Sequence, residues 1–356
     1  MKKIALALSL MLVLSACGTP SSEATGKPDG KPGTATQEVK KDDNPKETEL
    51  SEIKDDTPKG SEDNSSEYYI NSINEETAEY HGDCGTGLTW YYKDGVLVIK
   101  GTGKTRSINT HIDLATLVQQ VIVDEGVTGI GDMRFFGTGT FNGFPNMSKI
   151  VLPSTLEEIA MYSFKDCTSL TEITIPNSVT TIGDFAFSSS GITKITIPDS
   201  VTQIEDCAFY ECDSLTEVML LASVTEIGDS VFYGCKNLAN IIISDSVTKI
   251  CDWAFYNCEN LTEIVIPDSV TQIGNRAFLE CKSLTEITIP DSVTEIGDFA
   301  FHNCDKLRKI LFLGDLPQIG TDIFDDDIRV IYSSPTFEYI QDDYPNVEWF
   351  EEWPME

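Results

Sequence analysis

The stretch "LTEITIPDSVTEIGDFAFHNC", Leu284 to Cys304, restates "LTEITIPNSVTTIGDFAFSSS", Leu170 to Ser190. Worn copies stand between them, such as "EVMLLASVTEIGDSVFYGC" from Glu217 and "EIVIPDSVTQIGNRAF" from Glu263. The proline of "ITIP" marks the register at Pro153, Pro176, Pro198, Pro267 and Pro290. Leu221, Ser244 and Leu313 hold the equivalent place in other passes, and Asp124 holds it in the first. The step is 23 residues from Pro198 onward and 22 once, between Pro176 and Pro198; the first, from Asp124 to Pro153, is longer by six. A fixed period of this length is the signature of a solenoid.

The columns say how each coil is built. One runs Leu170, Ile192, Leu215, Leu238, Leu261, Leu284, Leu307; the next Ile173, Ile195, Val218, Ile241, Ile264, Ile287, Ile310; a third Ile175, Ile197, Leu220, Ile243, Ile266, Ile289, Phe312. The last two stand two residues apart, as on one face of a strand. Val179 through Val293, Ile182 through Ile319 and a phenylalanine column from Phe164 to Phe324 complete the pattern. Each coil is therefore predicted to hold a short parallel strand at "TEITIP", a second extended piece at "SVTQIG" and a tight helical turn at "DxAFxxC". Asp184, Asp206, Asp229, Asp252 and Asp298 are placed to cap that turn. One coil cannot bury these side chains alone, so stacking makes the core. The fold class expected is α/β, a strand-rich solenoid of 23-residue coils with short helical turns.

These repeats resemble the BspA-like class of bacterial leucine-rich repeats. "CGTGLTWYYKDGVLVIKGTG", Cys84 to Gly103, resembles the module that often precedes them. The resemblance implies a curved solenoid, a role in adhesion or recognition at a bacterial surface, and no catalytic residues. The leading module reads as a β-hairpin: Leu88 to Tyr92, a Lys93-Asp94-Gly95 turn, then Val96 to Ile99. It is assigned as the N-terminal cap, residues 83–120, before repeats at 121–324. Ile328 to Tyr332 and the aromatic tail through Trp349 and Trp353 would close the C-terminal end, 325–356.

"MKKIALALSLMLVLSAC" has two lysines, a short apolar run and small residues before Cys17. It reads as a secretory signal at 1–16, not a membrane span. Leu14-Ser15-Ala16-Cys17 resembles the lipobox of bacterial lipoproteins, which implies lipid on Cys17; an ordinary signal carrying a cysteine is the alternative. Residues 17–82 are polar and rich in Gly, Pro, Ser, Asp and Glu, and read as a disordered acidic tether. Membrane contact is expected through the lipid alone.

The chain has 58 acidic and 25 basic residues, a formal charge of −33. Nucleic-acid binding, which needs basic patches, is excluded as an expectation. Of ten cysteines, Cys167, Cys212, Cys235, Cys258, Cys281 and Cys304 share one column, three residues after the phenylalanines. Phe144 and Ser190 occupy the same column, which favours buried free thiols, although stacked coils would bring them near enough to pair. No metal site is expected, since the thiols follow a repeat column and no CxxC pair exists. His81, His111 and His302 read as solvated or packing residues, and no GxSxG, HExxH or phosphate loop appears. "GTGTFNG" from Gly137 reads as a loop. Asp199, Asp245, Asp268 and Asp291 are assigned to turns, with calcium the alternative. No enzyme and no cofactor are expected.

Two candidate binding faces remain. The residues between the inward strand columns are Thr174, Thr196, Met219, Ile242, Val265, Thr288 and Leu311, and point outward; the resemblance makes this the concave, ligand-binding face. Met219, Ile242 and Val265 would form an exposed apolar strip, unless they merely suit a parallel ladder. The second candidate is the stripe Tyr210, Tyr233 and Tyr256 beside the turns, which also suits packing between coils. The reading is a surface lipoprotein, a monomer, whose solenoid binds a host or microbial protein, or a glycan. An envelope spacer without a ligand, and a hydrolase with an unrecognised site, are the alternatives.

Overall fold

The computed structural model describes residues 64–105, 114–131, 143–325, 328–332 and 348–351. The signal segment, Cys17, His111 and the loop at Gly137 lie outside the described residues, as does Trp353.

Folded structure begins earlier than composition indicates. Residues 64–82, assigned to the tether, hold helix α1 (Asn64–Ser72) and the start of strand β1 (Tyr80–Gly85). Tyr69, Ile70 and Ile73 pack on Val96, Val98 and Ile122, which gives this segment the apolar face the tether lacks elsewhere. The Lys100 ammonium donates to the Ile73 carbonyl at 2.7 Å and to the Ile70 carbonyl, closing the C-terminal end of the helix.

The expected hairpin is present as β2 (Leu88–Lys93) and β3 (Val96–Gly101). Asp94 and Gly95 turn it with φ of 48° and 84°, the left-handed pair of a type I′ turn. β1 pairs antiparallel on one edge; β3 pairs parallel with Gln120–Val123 on the other, so the hairpin starts the solenoid ladder.

On the strand face, the "TEITIP" segments form three sheets. The first runs from β1 to Lys149–Val151. The second joins Lys194–Ile197, Glu217–Leu220 and Asn240–Ile242. The third runs from Glu286–Ile289 through Lys309–Phe312 and Arg329–Tyr332 to Glu348–Glu351. Residues 172–175 and 263–266 fall between sheets and form no strand. The first break adjoins the coil that is one residue short; the second falls in a coil of full repeat length. The "SVTQIG" segments build a separate parallel ladder, broken once, between Gln203–Ile204 and Glu226–Ile227.

The third side corrects the expected helical turn. Among the described residues the two helices are α1 and Leu114–Leu117, neither within the repeats. Each "DxAFxxC" is instead a run of tight turns with two residues near φ +57°, four apart: Trp253 and Asn257 in one coil, Arg276 and Glu280 in the next. This geometry aims alternate N–H groups at the following coil. Phe232 donates to Ala254, Phe255 to Ala277 and Phe278 to Ala300, at 2.8–2.9 Å. The strand sides run the other way, as where Gly274 donates back to Ile250. A helix would have kept these bonds inside one coil, leaving this side of the stack held by side chains alone.

The aspartates differ accordingly. Asp206 accepts from the Asp229 amide, Asp229 from Asp252, Asp252 from Asn275 and Asp298 from Thr321, at 2.7–3.1 Å. Each carboxylate caps the next coil, not its own turn. Asn275 continues the chain without a charge, accepting from Asp298 and donating to Asp252. Elsewhere the stacked charges are felt: burial, then Asp206, push the Asp229 carboxyl up.

The predicted columns are the core. From Phe164 to Phe301 the phenylalanines are fully buried, with neighbouring rings stacked 5.1–5.4 Å apart.

Candidate binding surface

The outward strand column is solvent-facing along its length, but unevenly. Val265 is 72% exposed, while Met219, Ile242 and Leu311 are half-buried. Val265 stands out because its segment makes no ladder. None of Ile264, Val265 and Ile266 makes a backbone hydrogen bond to a neighbouring coil. The inward neighbours Ile241, Ile243, Ile264 and Ile266 are also slightly accessible, at 5–8%. Sequence reasoning missed two members of this surface. Leu221 and Leu313 replace the marker proline and are exposed, at 43% and 51%; their column showed the substitution, but not the direction of the side chain. At the other break a groove of about 560 Å³ opens on the same face, lined by Ile173, Thr174, Lys194, Thr196 and Met219 among others.

Charges flank the strip. Two residues before the outward position, Lys194 pairs with Glu217 at 2.6 Å and Lys309 with Glu286 at 4.0 Å, while Glu172 and Glu263 are exposed and meet no cation within the described residues. After the strand, Asp199, Asp245 and Asp291 are exposed too. No backbone N–H within the described residues donates to these three carboxylates; the neighbouring serines instead tie each coil to the preceding one. Ser246 donates to the Val224 carbonyl at 2.8 Å, Ser269 to Val247 at 2.6 Å and Ser292 to Val270 at 2.7 Å.

The turn face is organised differently. Tyr210, Tyr233 and Tyr256 are half-buried and stacked, with ring centroids 4.7 and 4.5 Å apart. Trp253 stands edge-on to Tyr256 and carries the Arg276 guanidinium over its ring at 4.7 Å. Tyr233 is thus stacked on both faces, and Tyr210 and Tyr256 each have one face against it. His302 lies edge-on to Phe299, 2.9 Å from the Asp325 carboxylate.

The nine described cysteines are free thiols. Those of the column do more than fill space. Cys212, Cys235, Cys258, Cys281 and Cys304 donate to the carbonyls of Phe187, Phe209, Phe232, Phe255 and Phe278 in the preceding coil, at 3.0–3.3 Å. Burial pushes Cys167 and Cys304 up to about 12 and holds Cys258 and Cys281 well above the ordinary thiol range. Such thiols are poor nucleophiles and poor ligands at neutral pH. Among the described residues no group of three or more His, Cys, Asp or Glu is placed to hold a metal ion.

The sequence profile of the BspA type leucine rich repeat region matches residues 134–262 and 248–344, in six copies. The chain belongs to the BspA-type leucine-rich repeat family. Its structure is similar to that of a leucine-rich repeat protein from Bacteroides ovatus ATCC 8483, with a TM-score of 0.57 and 25% identity over 75% of this chain and 76% of that one. A leucine rich cell surface protein from Faecalibacterium prausnitzii A2-165 aligns at 24% identity over 73% and 78% of the two chains, with a TM-score of 0.45. No curated protein matches the chain.

Proposed function

We propose that this BspA-type chain is a recognition protein of the bacterial surface, and that its strand face holds the partner. One observation carries the reading: an apolar strip including Met219, Leu221, Ile242 and Val265 lies open on three successive coils. Exposed contiguous apolar surface marks interaction sites. The tyrosine stripe supports the alternative less well, since its ring faces are already stacked. Display at the surface is supported by the family and by the lipobox-like sequence before Cys17. The ligand-free spacer would need no such strip.

The test is a panel of surface proteins, matrix proteins and glycans presented to the full chain and to two variants. Val265→Lys combined with Ile242→Lys is expected to weaken capture at least about tenfold, because a charge in an apolar contact costs over 1.4 kcal/mol. Tyr233→Ser is expected to leave it unchanged. Equal capture by the lysine variant, or loss only with Tyr233→Ser, would overturn the choice of face. For the anchor, labelled fatty acid is expected to enter the wild-type chain and not Cys17→Ser; equal labelling of both would refute lipidation at Cys17.

A further inference from the structure

We propose that the strand face takes a basic amphipathic segment of a partner polypeptide, apolar along one stripe with Lys or Arg on its flanks. The proposal rests on the strand-face reading above and names the chemistry of the partner.

Exposed carboxylates lie on both sides of the strip, and the chain leaves them unused. Glu172 and Glu263 precede it by two residues; Asp199, Asp245 and Asp291 follow it at the end of the strand. None of these five carboxylates accepts a hydrogen bond or meets a cation within the described residues. The cations of these columns, Lys194 and Lys309, stand away from the centre of the strip and are already paired. On the turn side the opposite holds: Asp206, Asp229 and Asp252 accept backbone amides of the next coil. The fold thus uses one acidic column for structure and leaves these five carboxylates of two others open beside an apolar surface.

Charge then selects the occupant. An acidic or neutral segment would bring no counter-charge to the unpaired carboxylates, and an acidic one would be repelled by a chain of net charge −33. A glycan would find few free aromatic faces to stack on. A helical segment suits the spacing as well. Coils in a ladder lie about 4.8 Å apart, and a helix advances about 5.4 Å per turn. A helix laid along the stack would therefore set about one apolar turn on each of Met219 and Ile242, which pair in one ladder, and continue toward Val265, with its basic flanks over the acidic columns.

The probe is a labelled synthetic amphipathic helix of leucine and lysine, titrated with the full chain by fluorescence anisotropy. A scrambled leucine–lysine peptide and a leucine–glutamate helix are the comparators. The amphipathic basic helix is expected to bind, and the comparators at least about tenfold more weakly. Asp245→Asn combined with Glu263→Gln is expected to weaken binding about tenfold at low salt and much less at high salt, since two exposed pairs of about 0.7 kcal/mol are removed and salt screens them. Val265→Ser is expected to weaken it at both salts. Failure of the basic helix to bind, equal binding of either comparator, or indifference to the carboxylate pair would overturn the basic class. If a comparator binds and Val265→Ser weakens it, the strand face stands and only the partner chemistry is wrong. If Val265→Ser has no effect either, both fail.

Discussion

Thermal unfolding of the full chain is expected to hold up to about pH 9 and to collapse between about pH 9 and pH 12. The cause is the thiol column. While the hydrogen-bonded neighbours Cys212 and Cys235 shift in opposite directions, Cys212 down and Cys235 up, burial raises Cys167 and Cys304 from the ordinary value of 9.0 to about 12 and holds Cys258 and Cys281 well above it. The unfolded chain therefore releases these protons first as pH rises. The stabilisation is complete below the unfolded value and is lost as pH climbs toward the folded one. Each such thiol forfeits roughly 1.4 kcal/mol per pH unit across that window. Several together match the whole stability of a typical domain, about 5–15 kcal/mol, within one or two pH units. Circular dichroism melts from neutral pH to pH 11 measure the effect. Cys258→Ser with Cys281→Ser separates it from tyrosine ionisation, because the hydroxyl keeps a donor and does not titrate; the chain itself carries Ser190 in this column. The variant is expected to lose less stability per pH unit. The same steepness in the variant, or a melt unchanged at pH 11, would show that the thiols are not responsible.

Phe255→Ala is expected to cost about 3–5 kcal/mol, the range for deleting a fully buried ring and leaving its cavity. Phe255 has no exposure and stacks on Phe232 and Phe278 at 5.4 and 5.2 Å. Its backbone is committed on both sides: its amide donates to Ala277 and its carbonyl accepts the Cys281 thiol. Collapse around the cavity would disturb three coils, while distant coils keep their contacts, because each touches mainly its neighbours. Denaturant unfolding with hydrogen exchange checks both parts, the loss of stability and its confinement near residues 232–278. A change within about 0.5 kcal/mol, as at a surface site, would contradict the burial of the column.

The core was legible because burial leaves a side-chain record. Leu, Ile, Val and Phe recur at fixed spacing, and every phenylalanine read as inward is inward. The turn side left a misleading one. An aspartate before a small apolar run resembles a helix cap, and nothing in "DxAFxxC" says that Trp253, Arg276 or Phe299 sits in left-handed backbone, a conformation bulky residues seldom adopt. That conformation comes from the ladder between coils, which is a property of the stack and not of one repeat. α1 was hidden by composition: Tyr69, Ile70 and Ile73 are a small apolar set within a polar segment, and their partners lie far along the chain. Of the candidate surface, the outward column could be read from alternation, but the openness of Val265 could not, since it follows from a missing ladder in a coil of normal length.

The most direct test of the strand face as the recognition surface is hydrogen exchange with and without the captured partner. In the free chain the amides of Ile264, Val265 and Ile266, which bond to no neighbouring coil, are expected to exchange fast. In the complex these amides, with those of residues 217–221 and 240–243, are expected to slow, while residues 207–211, 230–234 and 253–257 of the turn side stay unchanged. Slowing confined to the turn side, with residues 263–266 still exchanging as in the free chain, would contradict the account.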